Sequence, residues 1–152
     1  MRRYTFRRSF TTRKPLFSTG AKEVFIVEAI NRQGTINMYE YNDAFWNAID
    51  ELVSNSEIVI DRPKGSAHPR FPDFIYRVDY GYLKNTVSMD GAGIDVWVGS
   101  GGNKVDADMC IIDLMKRDSE IKILVGCTEE EKLEVYHTHN RTQYMKGIMI
   151  RR

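Results

Sequence analysis

The 152-residue chain has no uninterrupted apolar run of the roughly 18 residues that span a bilayer. It also has little cysteine: Cys110 and Cys127 lie in apolar surroundings and lack CxxC spacing. This pattern argues against a disulfide framework or a zinc pair, and is typical of reduced packing residues. The sequence therefore predicts a protein without a membrane span in a reducing, cytoplasmic compartment.

Acidic residues are missing from the first 22 positions, which contain seven Lys or Arg. The other 15 basic and 21 acidic residues give the body of the chain a net charge of −6. An acid-poor segment rich in Arg, Ser and Thr is typical of an organelle transit peptide, and equally of a basic arm. We predict a basic extension over residues 1–37, disordered or a short hairpin, and one domain over residues 38–152. If the extension is a transit peptide, the location is organellar instead.

Two helices are indicated. In "NDAFWNAIDELVSNS", Asn42 can cap a helix whose apolar residues recur at helical spacing. Those residues are Phe45, Ile49, Leu52 and Val53. In "CTEEEKLEVYHTHN", Thr128 and Glu131 form a capping-box pattern that predicts the start of a second helix. We expect the "HTH" at its end to lie on the surface.

Short strands dominate the rest of the chain. They are predicted at "EIVID", "FIYRV", "GIDVWVG", "DADMCIIDLM" and "EIKILVGC", with "QYMKGIMIRR" left open as a further strand. Five short strands between turns favour a small barrel. We predict an α+β, mainly β fold: a five-stranded, OB-like barrel flanked by two helices.

Acidic residues lie in the turns and strands of "MDGAGIDVWV" and "DSEIK". Because side chains alternate along a strand, Asp95 shares a face with Trp97, and Glu120 with Lys122. With Asp90 and Asp118 in the adjoining turns, these acids would form an all-oxygen group, which suits Mg²⁺ or Mn²⁺. Solvated surface acids are the alternative reading.

A basic, aromatic segment runs from Asp61 to Lys84. Its cations include Arg62, Lys64, Arg70 and Arg77, and its phenols are Tyr76, Tyr80 and Tyr82. Such donors suit phosphate oxygens. Single-stranded nucleic acid is a weaker alternative, because the body of the chain is acidic. Phosphates beside carboxylates need a cation between them, so a metal–phosphate substrate accounts for both groups.

Three stretches resemble the soluble inorganic pyrophosphatases, particularly a short bacterial branch. They are "EIVIDRPKGSAHPR", "YRVDYGYLKNTVSMDGAGIDVWV" and "KRDSEIKILVGC", and the resemblance extends from about Phe45 to the C-terminus. It implies a five-stranded, OB-like barrel with helices, Mg²⁺ dependence, and hydrolysis of pyrophosphate to two phosphates.

The resemblance also implies roles for particular residues. Asp90 and Asp95 match the first and last acids of the family's metal motif, and Asp61 matches an acid that reaches an outer metal. The later acids and lysine correspond to Asp118, Glu120 and Lys122. On the substrate side, Arg70 stands where a phosphate-binding lysine occurs, while Tyr76 and Tyr80 match phosphate-side tyrosines.

Two departures from the family pattern bear on activity. The motif's middle acid, which helps to deprotonate the attacking water, is Ala92 in this chain. The segment between Arg70 and Tyr76 is too short for the family's inserted hairpin and its arginine, for which Arg62, Lys64 or Arg77 could substitute. Asp79 could serve as a replacement acid.

Two hypotheses remain. The first is Mg²⁺- or Mn²⁺-dependent hydrolysis of pyrophosphate or a related small phosphoanhydride, slowed by Ala92. The second is a catalytically lapsed protein of the same fold that binds phosphate or a nucleotide. Homo-oligomerisation stays open.

Overall fold

The computed structural model describes residues 29–31, 34–36 and 43–152, and divides the chain into two compact units, Met1–Glu40 and Tyr41–Arg152. In the first unit, strands β1 (Ala29–Asn31) and β2 (Gly34–Ile36) pair antiparallel, with Ala29 opposite Ile36. Most of the predicted extension over residues 1–37, and the predicted helix cap Asn42, lie outside the described residues. The predicted boundary between residues 37 and 38 stays a prediction.

The second unit combines two helices with a six-stranded sheet. Its elements in chain order are α1 (Asp43–Ser54), β3 (Ile58–Arg62), β4 (Asp79–Leu83), β5 (Ile94–Val98), β6 (Val105–Asp113), β7 (Asp118–Val125), α2 (Glu129–Asn140) and β8 (Met145–Arg151). The strand order is β3-β4-β5-β7-β6-β8, and every neighbouring pair is antiparallel except β5 and β7. Of the helices in the described part of the chain, none has the length and apolar character needed to cross a bilayer.

The expected α+β, mainly β class is confirmed, but the five-stranded barrel is not. The sheet has six strands, and its edge strands β3 and β8 are not paired with each other, so it is open. "FIYRV" was assigned wrongly, since within it Ile75 makes only an isolated bridge to Ala67. The Tyr76 amide donates to the Ser66 carbonyl and the Tyr76 carbonyl accepts from Gly65, so both groups bond within a loop.

The sheet has two buried faces, each covered by a helix. On the α2 face, Trp97, Met109 and Leu124 pack with Val135 of the helix. On the α1 face, Val96, Ile123 and Val125 pack with Trp46. Because strand side chains alternate, each central strand contributes to both cores.

Helix α2 starts as predicted. The Glu131 amide donates to Thr128 Oγ1 at 3.3 Å, and the Thr128 amide donates back to Glu131 Oε2 at 3.0 Å, which completes the capping box. At the other end, His139 is buried rather than on the surface. Its ring faces the sheet, where its Nε2 accepts a hydrogen bond from Trp97 Nε1 at 3.2 Å. Burial lowers the pKa of His139 to about 3.

Gly81 lets β3 and β4 approach closely. A Cβ at this position would lie 1.9 Å from the Val59 carbonyl oxygen. Glycine is therefore required at the centre of "YGY", where it allows Tyr80 to stand next to β3.

Candidate functional site

Lys122 lies at the centre of a polar cluster on the α2 face, which we call the Lys122 cluster (Tyr80, Asp95, Glu120 and Lys122). Its Nζ donates hydrogen bonds to Asp95 Oδ2, to Glu120 Oε2 at 2.7 Å and to Tyr80 Oη at 3.1 Å. Strand pairing creates this arrangement: β5 stands between β4 and β7, so the side chains of three strands meet on one face.

Ion pairing keeps the cluster charged although it is largely buried. The Lys122 and Glu120 side chains are each 7% exposed. Burial by itself lowers the pKa of Lys122, but Asp95 and Glu120 outweigh it and hold that pKa above its usual value. Burial by itself raises the pKa of Glu120, but Lys122 and Lys116 outweigh it and hold that pKa below its usual value. The cluster therefore contains an ammonium between two carboxylates.

Tyr80 joins this cluster to neighbouring rings. Burial, followed by the nearby Asp95 carboxylate, raises the pKa of Tyr80, so its hydroxyl keeps its proton. Its ring lies 5.6 Å from that of Tyr76 and 4.6 Å from that of Trp97. The Arg62 guanidinium carbon lies 5.5 Å from the centre of the Tyr80 ring, within cation–π range.

The basic segment forms a loop fixed by backbone hydrogen bonds. The Gly65 amide donates to the Tyr76 carbonyl at 2.8 Å and the His68 amide to Phe74 at 2.8 Å. The Lys64 amide donates to Asp79 Oδ1 at 2.6 Å. Asp79, predicted as a candidate replacement acid, thus holds one end of the loop.

The predicted acids do not form one group. Asp90 is exposed and its Oδ1 accepts from the Ala92 amide at 3.0 Å, while Asp61 pairs with Arg62 at 2.8 Å. Asp118 begins β7, opposite Asp113. Among the described residues, no three or more His, Cys, Asp or Glu side chains lie close enough to hold a metal ion. Of the five predicted ligands, the structure brings Asp95 and Glu120 to one point.

This pair fits a metal ion in a restricted way. Two carboxylate oxygens converge on one cation, the Lys122 ammonium, and carboxylate oxygens are the ligands that Mg²⁺ prefers. Mg²⁺ is commonly held by one or two carboxylates together with substrate phosphates. The residues therefore fit a single ion that is bound with a phosphate and takes the place of the Lys122 ammonium, and they do not fit a preformed two-metal cluster.

Sequence reasoning missed two residues around this site. Lys116 Nζ lies 3.2 Å from Glu120 Oε1, so both oxygens of that carboxylate have lysine partners. The hairpin spacing between Lys116 and Glu120 was the available signal. His68 stacks on Tyr76 with ring centres 6.1 Å apart, and no sequence pattern indicated this.

No protein-family model matches the chain, and no curated protein matches it. Several solved structures are similar, and three of them each match over 62% of this chain. An inorganic pyrophosphatase from Helicobacter pylori is 14% identical over 83% of its own length, with a TM-score of 0.47. One from Thermus thermophilus is 19% identical over 81%, with a TM-score of 0.46. An inorganic phosphatase from Anaplasma phagocytophilum is 13% identical over 81%, with a TM-score of 0.43.

Proposed function

We propose that this protein binds inorganic pyrophosphate, or a related small phosphoanhydride, at the Lys122 cluster and hydrolyses it with Mg²⁺ or Mn²⁺. The observation that carries the proposal is the convergence of Asp95 and Glu120 on one cationic point beside Tyr80. The sequence resemblance to inorganic pyrophosphatases supports the same substrate.

The donors around the cluster suit phosphate oxygens. Lys122 is held in its charged form, and Tyr80 keeps its hydroxyl proton. Arginine forks bind phosphate oxygens through two hydrogen bonds at once. We assign substrate binding to Arg62, Lys64, Arg70, Tyr76, Tyr80 and Lys122.

Asp95 and Glu120 would hold the metal ion, and we extend the ligand set to Asp90, Asp118 and Asp61 on the resemblance alone. When bound, such an ion polarises phosphoryl oxygens and lowers the pKa of a coordinated water. The chain's own residues position the phosphates and neutralise their charge, a role that we give to Tyr80 and Lys122. Asp90 and Asp95 complete the proposed catalytic set as acids that would hold the ion.

Ala92 limits the expected rate. A general base typically contributes roughly 10²- to 10⁴-fold, and alanine cannot accept a proton. Asp79 stays a candidate replacement, held at the end of the loop by one carboxylate oxygen, Oδ1, which accepts from the Lys64 amide. We therefore expect slow hydrolysis.

The second candidate, a lapsed protein that binds phosphate or a nucleotide without hydrolysing it, is favoured by the same alanine. It needs the donors of the site but neither the metal nor the base. A cytoplasmic location, little affinity for nucleic acid and a homo-oligomeric state stay predictions for either candidate.

Phosphate release from pyrophosphate, measured with and without Mg²⁺, tests the proposal. We expect slow, metal-dependent release that falls by at least about 100-fold in Asp95→Asn and Glu120→Gln and rises in Ala92→Asp. Glu130→Gln, which removes an exposed carboxylate of α2, is the matched control and should leave the rate unchanged. Binding of pyrophosphate with no release, even in Ala92→Asp, would establish the second candidate instead.

A further inference from the structure

We propose that the ligand of the site is a nucleoside diphosphate, whose base stacks on Phe71 and His68 while its phosphates reach the Lys122 cluster. This inference rests on the proposed function, because it assumes that the cluster binds phosphates. It adds a subsite to the loop between β3 and β4.

The exposed ring of Phe71 is the first observation that favours a ligand with a flat, uncharged group such as a base. It is 66% exposed, although burying such a ring is favourable. Its ring centre lies 5.1 Å from that of His68, at an interplanar angle of 39°. Two adjoining rings therefore face solvent at the outer end of the loop.

The loop presents these rings from a fixed backbone. The His68 amide donates to the Phe74 carbonyl at 2.8 Å, and the Phe71 amide donates to His68 at 3.2 Å. On its other side, the His68 ring contacts Phe74 and Tyr76, with ring centres 5.9 Å and 6.1 Å away. A platform fixed in advance has less conformational entropy to lose when it binds a base.

The hydrogen bonding and surroundings of His68 favour a neutral ring with its proton on Nε2. Its Nδ1 accepts from the Arg70 amide at 3.0 Å, which leaves the ring proton on Nε2. Burial, and then the charges of Arg62 and Arg70, lower the pKa of His68. A neutral imidazole whose N–H has no partner among the described residues can stack on a base and donate to it or to its ribose.

Ring contacts connect this platform to the phosphate site. His68 stacks on Tyr76, Tyr76 lies 5.6 Å from Tyr80, and Tyr80 Oη accepts from Lys122. Arg62 lies along this path, since it shifts the pKa of both His68 and Tyr76 and its guanidinium faces the Tyr80 ring. Tyr76 is 5% exposed, so the middle of the row is core packing that fixes its two ends relative to each other. A ligand with a base and phosphates would use both ends, whereas inorganic pyrophosphate would use only the Lys122 end.

Calorimetric titration tests the subsite with two analogues that cannot be hydrolysed, α,β-methylene-ADP and methylenediphosphonate. Stacking one base on an aromatic side chain strengthens binding by roughly 5- to 150-fold. We expect the nucleotide analogue to bind tighter by a factor in this range. Phe71→Ala should remove that difference without weakening methylenediphosphonate, and Phe71→Trp should keep it. Tyr136→Ala, an exposed ring on α2, is the matched control and should change neither affinity.

The outcomes separate this inference from the function on which it rests. Equal affinities in the wild type, or equal weakening of both ligands by Phe71→Ala, would overturn the base subsite and leave the phosphate site standing. Binding of neither ligand would overturn both. Tighter nucleotide binding through Phe71, together with no phosphate release, would support the subsite and remove the hydrolytic function alone.

Discussion

Two buried ionisable groups lie on opposite faces of the same sheet and are accommodated in opposite ways. On the α2 face, Lys122 has two carboxylate partners and a tyrosine hydroxyl. On the α1 face, Asp108 is 1% exposed, and within the described part of the chain neither of its carboxylate oxygens has a hydrogen-bond partner. Burial alone raises the pKa of Asp108 to about 6, whereas Lys122 keeps a raised pKa in spite of burial.

The difference shows where this fold maintains charge. A buried charge is tolerated when partners compensate its lost hydration, and otherwise the group tends to become neutral. The α2 face therefore maintains a charged cluster. The α1 face carries a carboxyl group that favours the protonated form and has no charged partner among the residues that the structure describes.

Lys122→Met should have the largest effect, because it removes the cation that lies between Asp95 and Glu120 and leaves only Lys116 beside Glu120. Removing one partner of a buried ion pair typically lowers the free energy of unfolding by about 3–5 kcal/mol. Chemical denaturation measures this change, with Lys104→Met, an exposed lysine, as the control. Mg²⁺ should stabilise Lys122→Met more than the wild type, and a loss below about 1 kcal/mol would contradict a central ion-pairing role for Lys122.

Asp108→Asn tests the unpaired carboxyl. Between its usual pKa of 3.8 and the folded value of about 6, folded Asp108 holds a proton that the unfolded chain has lost. The free energy of unfolding should therefore fall as pH rises through this window, by roughly 3 kcal/mol in all. Denaturation at pH 4 to 8 should show that Asp108→Asn lacks this decrease. A decrease of equal size in the variant would mean that Asp108 is not its source.

His139→Gln tests a buried imidazole that stays neutral and accepts a hydrogen bond from Trp97. Because burial lowers the pKa of folded His139 from 6.5 to about 3, the unfolded chain takes up a proton first as pH falls. Wild-type stability should drop on the acid side, by roughly 2 kcal/mol at pH 5 relative to pH 7. The glutamine variant should lose this component while His137→Gln, at an exposed position, retains it. Identical acid-side slopes in both variants would reject the assignment.

Lys84→Met should have the smallest effect. Lys84 Nζ pairs with Glu57 at 2.7 Å, as close as Lys122 lies to Glu120, but both side chains are more than half exposed. Water already solvates such a pair, so its loss changes stability little. We expect an unchanged denaturation midpoint. A loss as large as that of Lys122→Met would show that burial is not what distinguishes the two pairs.

Local patterns identified much of the fold. The two helices, the strands at "GIDVWVG", "DADMCIIDLM" and "EIKILVGC", and the final strand left open at "QYMKGIMIRR" are all present. The error at "FIYRV" arose because an alternating pattern does not show where backbone groups find partners. Tyr76 bonds within the loop, and the strand begins instead at Asp79.

The candidate site was less predictable, because the same residue types fit several arrangements. Alternation placed Glu120 and Lys122 on one face, as the structure has them. It could not show that the Lys122 ammonium lies between Asp95 and Glu120, or that Asp90 bonds to its own turn. It also gave no sign that Asp108, one acid among several in β6, is buried without a partner.

The sequence by itself determined the alternating strands, the capped second helix and the replacement of an acid by Ala92, because these depend on residues a few positions apart. Only the tertiary structure decided which charges meet. The parallel pairing of β5 with β7 brings Asp95 to Lys122 across 27 positions of chain, and burial on that face makes their pairing matter energetically. Strand register and burial are properties of the whole sheet, so no short segment encodes them.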